Sequence, residues 1–169
     1  MILAVDPGTT ESALVVLDGD RIVVAVHQSN DAMVSWLWKP PAPIIERLDE
    51  LPPSERVLAI EMIASYGMPV GREVFETCVW VGRMIQAWED GHCGDAWEYV
   101  YRRDVKLHLC NSARAKDPHV RQALLDRYGG KGAAGTKKSP GPLYGISKHL
   151  WSALAVGVTY QDQQARRAA

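Results

Sequence analysis

The chain has 169 residues, of which 47% are hydrophobic and 23% charged, with a net charge of -1. Such a length and apolar content suit one domain with its own core and exclude a disordered chain. The three cysteines, Cys78, Cys93 and Cys110, are odd in number and scattered, which excludes a disulfide framework, and their neighbouring histidines do not have structural-zinc spacing.

The opening run MILAVD is almost continuously apolar and reads as a buried strand, and PGTTES then turns the chain. ALVVLDGDRIVVAVH reads as two strands joined at Asp18-Gly19. DAMVSWLW and PIIERLDEL form short helical pieces separated by Pro40, Pro41 and Pro43, and RVLAIEMI is a strand ending near Glu61. From Val70 to Trp88 the apolar residues Val74, Cys78, Val81, Ile85 and Trp88 trace a helical stripe. WEYVY is a further strand, and DPHVRQALLDRYG a helix with Asp117 as cap, Pro118 in its first turn and Gly129 as its stop. A Gly/Lys/Pro-rich basic loop at 129–145 leads into a last helix whose first turn carries His149 and Ser152, three residues apart and therefore on one face. The tail from about 161 is polar and expected to fray. Strands followed by alternating strands and helices give one α/β domain over 1–169 with a mixed sheet.

The charge is unevenly spread. From Arg102 to Lys148 there are eleven Lys/Arg against three Asp/Glu, a local +8, while the remainder carries -9. Such a segment is a candidate polyanion-binding face, and a solvated charged surface is the plainer alternative. No apolar run is long enough to span a membrane, and the N-terminal one is interrupted by Asp6 and lacks a basic flank. The expectation is a soluble, cytoplasmic protein.

Asp6 and Glu61 both lie at or near strand ends, and burying an ionised carboxylate is costly without a partner or a metal. If their strands are neighbours, both acids project from one sheet edge, where His149 and Ser152 close the site; Asp, Glu and His together suit a divalent metal. The plainer reading is that Asp6 caps the PGTT turn, Glu61 pairs with an arginine and His149 is a buried histidine bonded to a backbone carbonyl. Ser152 has its own plain role as a small residue that lets the helix pack closely. GGKGAAGTKKS is rejected as a P-loop, because Thr136 stands where lysine belongs and a helix precedes it. VDPGTT is similar to the phosphate loop of actin-like ATPases and sugar kinases, but those enclose ATP between two lobes and this chain has room for one.

Taken in order, ILAVDPGTTESALVVLD, LAIEMIASYG with GREVFETCVWVGRMIQAW, VKLHLCNSARAKDPHVRQALLDRYG and KHLWSALAVGV resemble RuvC-type Holliday junction resolvases, of the RNase H-like superfamily. The resemblance covers nearly the whole chain, and the basic loop is most similar to a phage-encoded branch. It implies an RNase H-like α/β fold with a mixed central sheet of about five strands flanked by helices. It also implies a metal-dependent crossover junction endodeoxyribonuclease that nicks branched DNA in pairs. Asp6 and Glu61 match the first two metal-binding acids, His149 the third metal-site residue, and Lys106 and Lys116 two lysines near the cleavage point. Ser152 stands where the family usually has an aspartate, and Tyr66 is the nearest aromatic to the expected wedge. Arg102, Arg103, Lys131, Lys137 and Lys138 complete the expected DNA-contacting set. Mg²⁺ is the expected cofactor, with Mn²⁺ able to substitute and favoured by the imidazole. The expected partners are a four-way DNA junction and a second copy of the chain, with no membrane and no nucleotide cofactor. Trp80 and Trp88 mark the helix at 70–88 as a dimer interface, core packing being its alternative. A junction-binding module without activity is the rival reading.

Overall fold

Alternation along each strand decides which side chains meet which helix layer. The structure is a computed structural model and describes residues 1–65, 67 and 69–168. The apolar runs form β1 (Ile2–Asp6) and the hairpin β2 (Glu11–Asp18) and β3 (Arg21–Ser29). Asp18 pairs with Arg21, so the turn is Gly19-Asp20, one residue later than expected, and Gly19 takes the left-handed conformation (φ 57°) that such a two-residue turn requires. Then follow α1 (Asn30–Trp38), α2 (Ala42–Asp49), β4 (Val57–Met62), α3 (Arg72–Gly91) and β5 (Ala96–Tyr101). The rest comprises α4 (Arg102–Cys110), α5 (Asp117–Arg127), a minute hairpin of β6 (Gly135–Thr136) and β7 (Ser139–Pro140), and α6 (Leu150–Ala168).

The sheet order is β3-β2-β1-β4-β5, antiparallel through the first three strands and parallel from β1 to β4 to β5. One face, with Leu3, Val5, Leu14, Val16, Leu58 and Ile60, packs beneath α1, α2 and α3. The other presents Ala4, Ala13, Val15, Leu17, Ala59 and Val100 to α4, α5 and α6. Small residues on this second face let α6 approach closely, over β1 and β2.

Several further sequence expectations need correction. Helix α4 was not anticipated, because only Val105 of its nine residues is buried and no apolar stripe announces it. Asp117 does not cap α5; Lys116 holds that position and Asp117 is the first helical residue. Helix α6 begins at Leu150, so His149 lies in the turn before it, its carbonyl accepting the N–H groups of Ser152 and Ala153. The polar tail does not fray: α6 runs to Ala168, with Asp162 bound by Arg127 and His108, and Gln164 and Arg167 reaching Glu98. In α3, which starts at Arg72 rather than Val70, Trp88 is a core residue whose indole N–H donates to the Ala96 carbonyl. The exposed apolar residues of α3 are instead Phe75 and Val79. The cysteines are free thiols, and among the described residues no helix is long and apolar enough to cross a membrane.

Helix α6 lies close against the sheet at Gly157, where an added Cβ would be 2.7 Å from Leu17 Cδ1 and 2.9 Å from Ala4 Cβ. Gly157→Val is therefore expected to destabilise the protein by about 1–3 kcal/mol through overpacking, read from the urea midpoint. An unchanged midpoint would mean that α6 is not seated this closely.

Candidate active site

Parallel register brings the two acids together. Val5 pairs with Ile60 across β1 and β4, and the next step sets Asp6 beside Glu61. Asp6 also pairs with Ala13, Ala13 with His27, and Glu61 with Val100, so one row crosses the whole sheet on the α6 side. One residue beyond the end of β5, Arg102 opens α4 at the same edge. These strand ends floor a cleft of about 760 Å³ that is also lined by Arg103, Lys106, Asp117, His149 and Ser152. A cleft outside the carboxyl ends of parallel strands is a common ligand site in α/β proteins.

The turn after β1 needs nothing from Asp6. The Gly8 N–H donates to the Ser12 hydroxyl, which donates to Asn30, and the Asn30 amide donates back to the Gly8 carbonyl. Asp6 instead hydrogen-bonds to Glu61 and Ser152, and its Oδ2 lies 3.4 Å from His149 Nδ1. Arg102 Nη1 donates to Glu61 Oε1 at 3.4 Å, and its Nη2 donates to Asp117 Oδ1. The arginine pairing expected as the plainer role of Glu61 is thus present, although it coexists with the carboxylate contact.

Burial is the main force on both acids, and it raises both pKa values. Glu61 is also pushed up by the Asp6 charge, and Arg102 only partly offsets the rise, which leaves Glu61 at about 8. Asp6 is lowered in turn by the Glu61 hydrogen bond, by Arg102 and by Ser152, while Asp117 opposes them. The pair therefore shares a proton near neutral pH, with Glu61 donating to Asp6. The plainer alternative for His149 is excluded: its side chain is 67% exposed, and its ring lies 5.4 Å from that of His27.

Two buried carboxylates in contact require a proton or a cation between them, and oxygen donors with one imidazole fit a hard divalent ion. Asp6, Glu61 and His149 are the residues present for it. Among the described residues no three His, Cys, Asp or Glu side chains form a ready metal cluster. Ser152 is a hydrogen-bond donor to Asp6 in this arrangement.

Lys106 is half-buried in the cleft, and Lys116 is exposed at the head of α5 beside Asp117. Lys131, Lys137 and Lys138 are exposed and do not line the cleft; the last two form the tip of the β6–β7 hairpin. Tyr66 lies outside the described residues. Asp117 and His27 were missed as site residues, as was the bridging role of Arg102. The sequence reads Asp117 as a helix cap and Arg102 as a DNA contact, because the helix between them carries no apolar stripe. His27 is on the far edge strand, and nothing in its neighbourhood along the chain distinguishes it.

The mixed sheet in the order β3-β2-β1-β4-β5, with helices on both faces, is an α/β fold of the RNase H-like kind, and its acids lie at or near the ends of β1 and β4. No protein-family model and no curated protein matches the sequence. Among solved structures, the chain shares its fold with Thermus thermophilus RuvC at a TM-score of 0.64 and 16% identity, over 98% of this chain and 95% of the other. T. thermophilus RuvC in complex with Holliday junction substrate matches with the same TM-score and identity, over 98% and 94% of the two chains.

With Glu61 protonated to about pH 8 in the folded state against an ordinary 4.5, the folded protein holds a proton across this window that the unfolded chain has released. Stability then falls as pH rises through the window. In metal-free buffer, the stability advantage of Glu61→Gln over wild type should grow from about pH 5 to about pH 8. A constant difference across that range would show that Glu61 is already ionised.

Proposed function

We propose that this chain is a divalent-metal-dependent, structure-selective endonuclease that resolves Holliday junctions or related branched DNA by paired nicks. The observation that carries the proposal is the Asp6–Glu61 carboxylate pair, set by register in a cleft with Arg102, Arg103 and Lys106. The RuvC fold and the solved RuvC complex with a Holliday junction support the choice of substrate.

Asp6, Glu61 and His149 would hold Mg²⁺ or Mn²⁺, which supplies Lewis-acid activation of water and charge stabilisation at the leaving 3′ oxygen. The chain's own groups do the remaining work. Arg102 fixes Glu61 and Asp117, and the Ser152 hydroxyl orients Asp6. Lys106 and Arg103 neutralise phosphates in the cleft, with Lys116 at its margin. The loop lysines Lys131, Lys137 and Lys138 hold a junction arm through salt-sensitive, sequence-independent contacts. Two symmetric nicks call for a twofold dimer, and Phe75 and Val79 on the exposed side of α3 are the apolar residues available to it. A non-catalytic junction-binding role is the second reading, favoured by Ser152, which offers Asp6 a neutral hydroxyl in place of a further carboxylate.

Incubation with an end-labelled four-way junction and Mg²⁺ or Mn²⁺ separates the two: paired nicks support the nuclease, and binding without nicks supports the second reading. Asp6→Asn and Glu61→Gln are expected to abolish nicking and to leave junction binding intact or stronger. Normal cutting by either variant would remove the carboxylate pair from the chemistry.

Lys106→Ala and Lys116→Ala should each lower the log–log salt slope of junction binding by about 1, with little change in thermal stability. An unaltered slope would place these lysines away from the DNA.

A further inference from the structure

Beside the acid cleft lies a second one of about 670 Å³, between α5 and the start of α6, and no role above uses it. The two clefts share Arg102, Asp117, His149 and Ser152, so whatever occupies the second adjoins the carboxylates. Its wall is Trp151, Pro118 and Leu125, and Arg121 and Lys148 add two exposed cations. The indole of Trp151 is half-buried, with the Arg121 guanidinium carbon 5.1 Å above its ring. Lys148 adopts a left-handed backbone (φ 46°) in the turn that also carries His149.

An aromatic face, an apolar wall and cations without a carboxylate of their own beyond Asp117 match one kind of occupant. A phosphate alone has no use for the indole, and a paired base cannot leave its stack to reach it. We infer that this cleft receives an unpaired base of the cut strand, stacked on Trp151, while its phosphate lies towards the carboxylates. The inference rests on the nuclease reading above and names the part of the substrate that this side of the site takes. In the free protein Arg121 occupies the ring face; the arriving base displaces the guanidinium, which turns to the strand's phosphate. Stacking on a protein aromatic tolerates any base, so the cleft selects for unpaired structure more than for sequence. It thereby gives a nuclease with a sequence-independent grip a means of favouring branch points.

The test uses the full chain and four-way junctions carrying 2-aminopurine at single positions flanking the cut, in metal-free buffer to prevent cleavage. Binding is expected to change the emission at one position in wild type and in Trp151→Phe, and to leave it unchanged in Trp151→Ala. An abasic nucleotide at that position should weaken wild-type binding about 10-fold, and should cost Trp151→Ala nothing further. Gln122→Trp, at an exposed position on the same cleft, should block the emission change while Trp151 remains in place, which covers the case of a poorly folded Trp151→Ala. A wild-type protein that binds and nicks junctions but shows no Trp151-dependent signal overturns this inference alone. A protein that binds no junction overturns the nuclease reading, and this inference with it.

Discussion

The contact between Asp6 and Glu61 is the constraint around which the rest of the molecule is arranged. Two carboxylates on adjacent parallel strands, facing a helix layer, cannot both be ionised in a half-dry cleft without compensation. Arg102 supplies part of it from the first residue after β5, and a shared proton supplies the remainder. The turn after β1 does not depend on the pair, since it is tied by Ser12 and Asn30. Two coupled carboxylates held in a cleft, their burial only partly offset by Arg102, are the kind of perturbed pair that marks a candidate functional site.

The same strands explain why α6 sits where it does. Ala4, Ala13 and Ala59 leave room on one face of the sheet, and Ala153 and Gly157 bring the helix down onto it. Close seating carries the first turn of α6 to the strand ends, so that Ser152 reaches Asp6 and the preceding turn holds His149 over the row from Asp6 to His27. Packing density on the sheet thus sets distances in the site. The acid cleft and the Trp151 cleft lie on either side of this one helix entrance, sharing its residues.

Charge follows the same division. The carboxylates of the cleft come mainly from strand ends in the first part of the chain, and the cations from α4, α5 and the turn before α6. The acids are drawn together at one point, whereas Arg102, Arg103 and Lys106 line their cleft and Arg121 and Lys148 line the neighbouring one. A polyanion approaching this cleft would be attracted by these cations and would meet the acids only where a cation or proton had offset them.

Strand periodicity and turn residues determined the five-stranded α/β architecture, because alternation is a local signal written in adjacent residues. The same patterns marked Asp6 and Glu61, as polar groups interrupting apolar runs stand out without knowledge of the fold. Helix α4 was not legible, since a helix with one buried residue has no stripe to read. With α4 unseen, nothing along the chain could place Arg102 between Glu61 and Asp117, residues 41 and 15 positions away from it. Nor could the sequence show that His149 precedes its helix and lies beside His27, a contact made across the sheet. Which residues alternate is set by neighbours in the chain; which charges meet is set by strand register and helix seating, and these exist only once the sheet has formed.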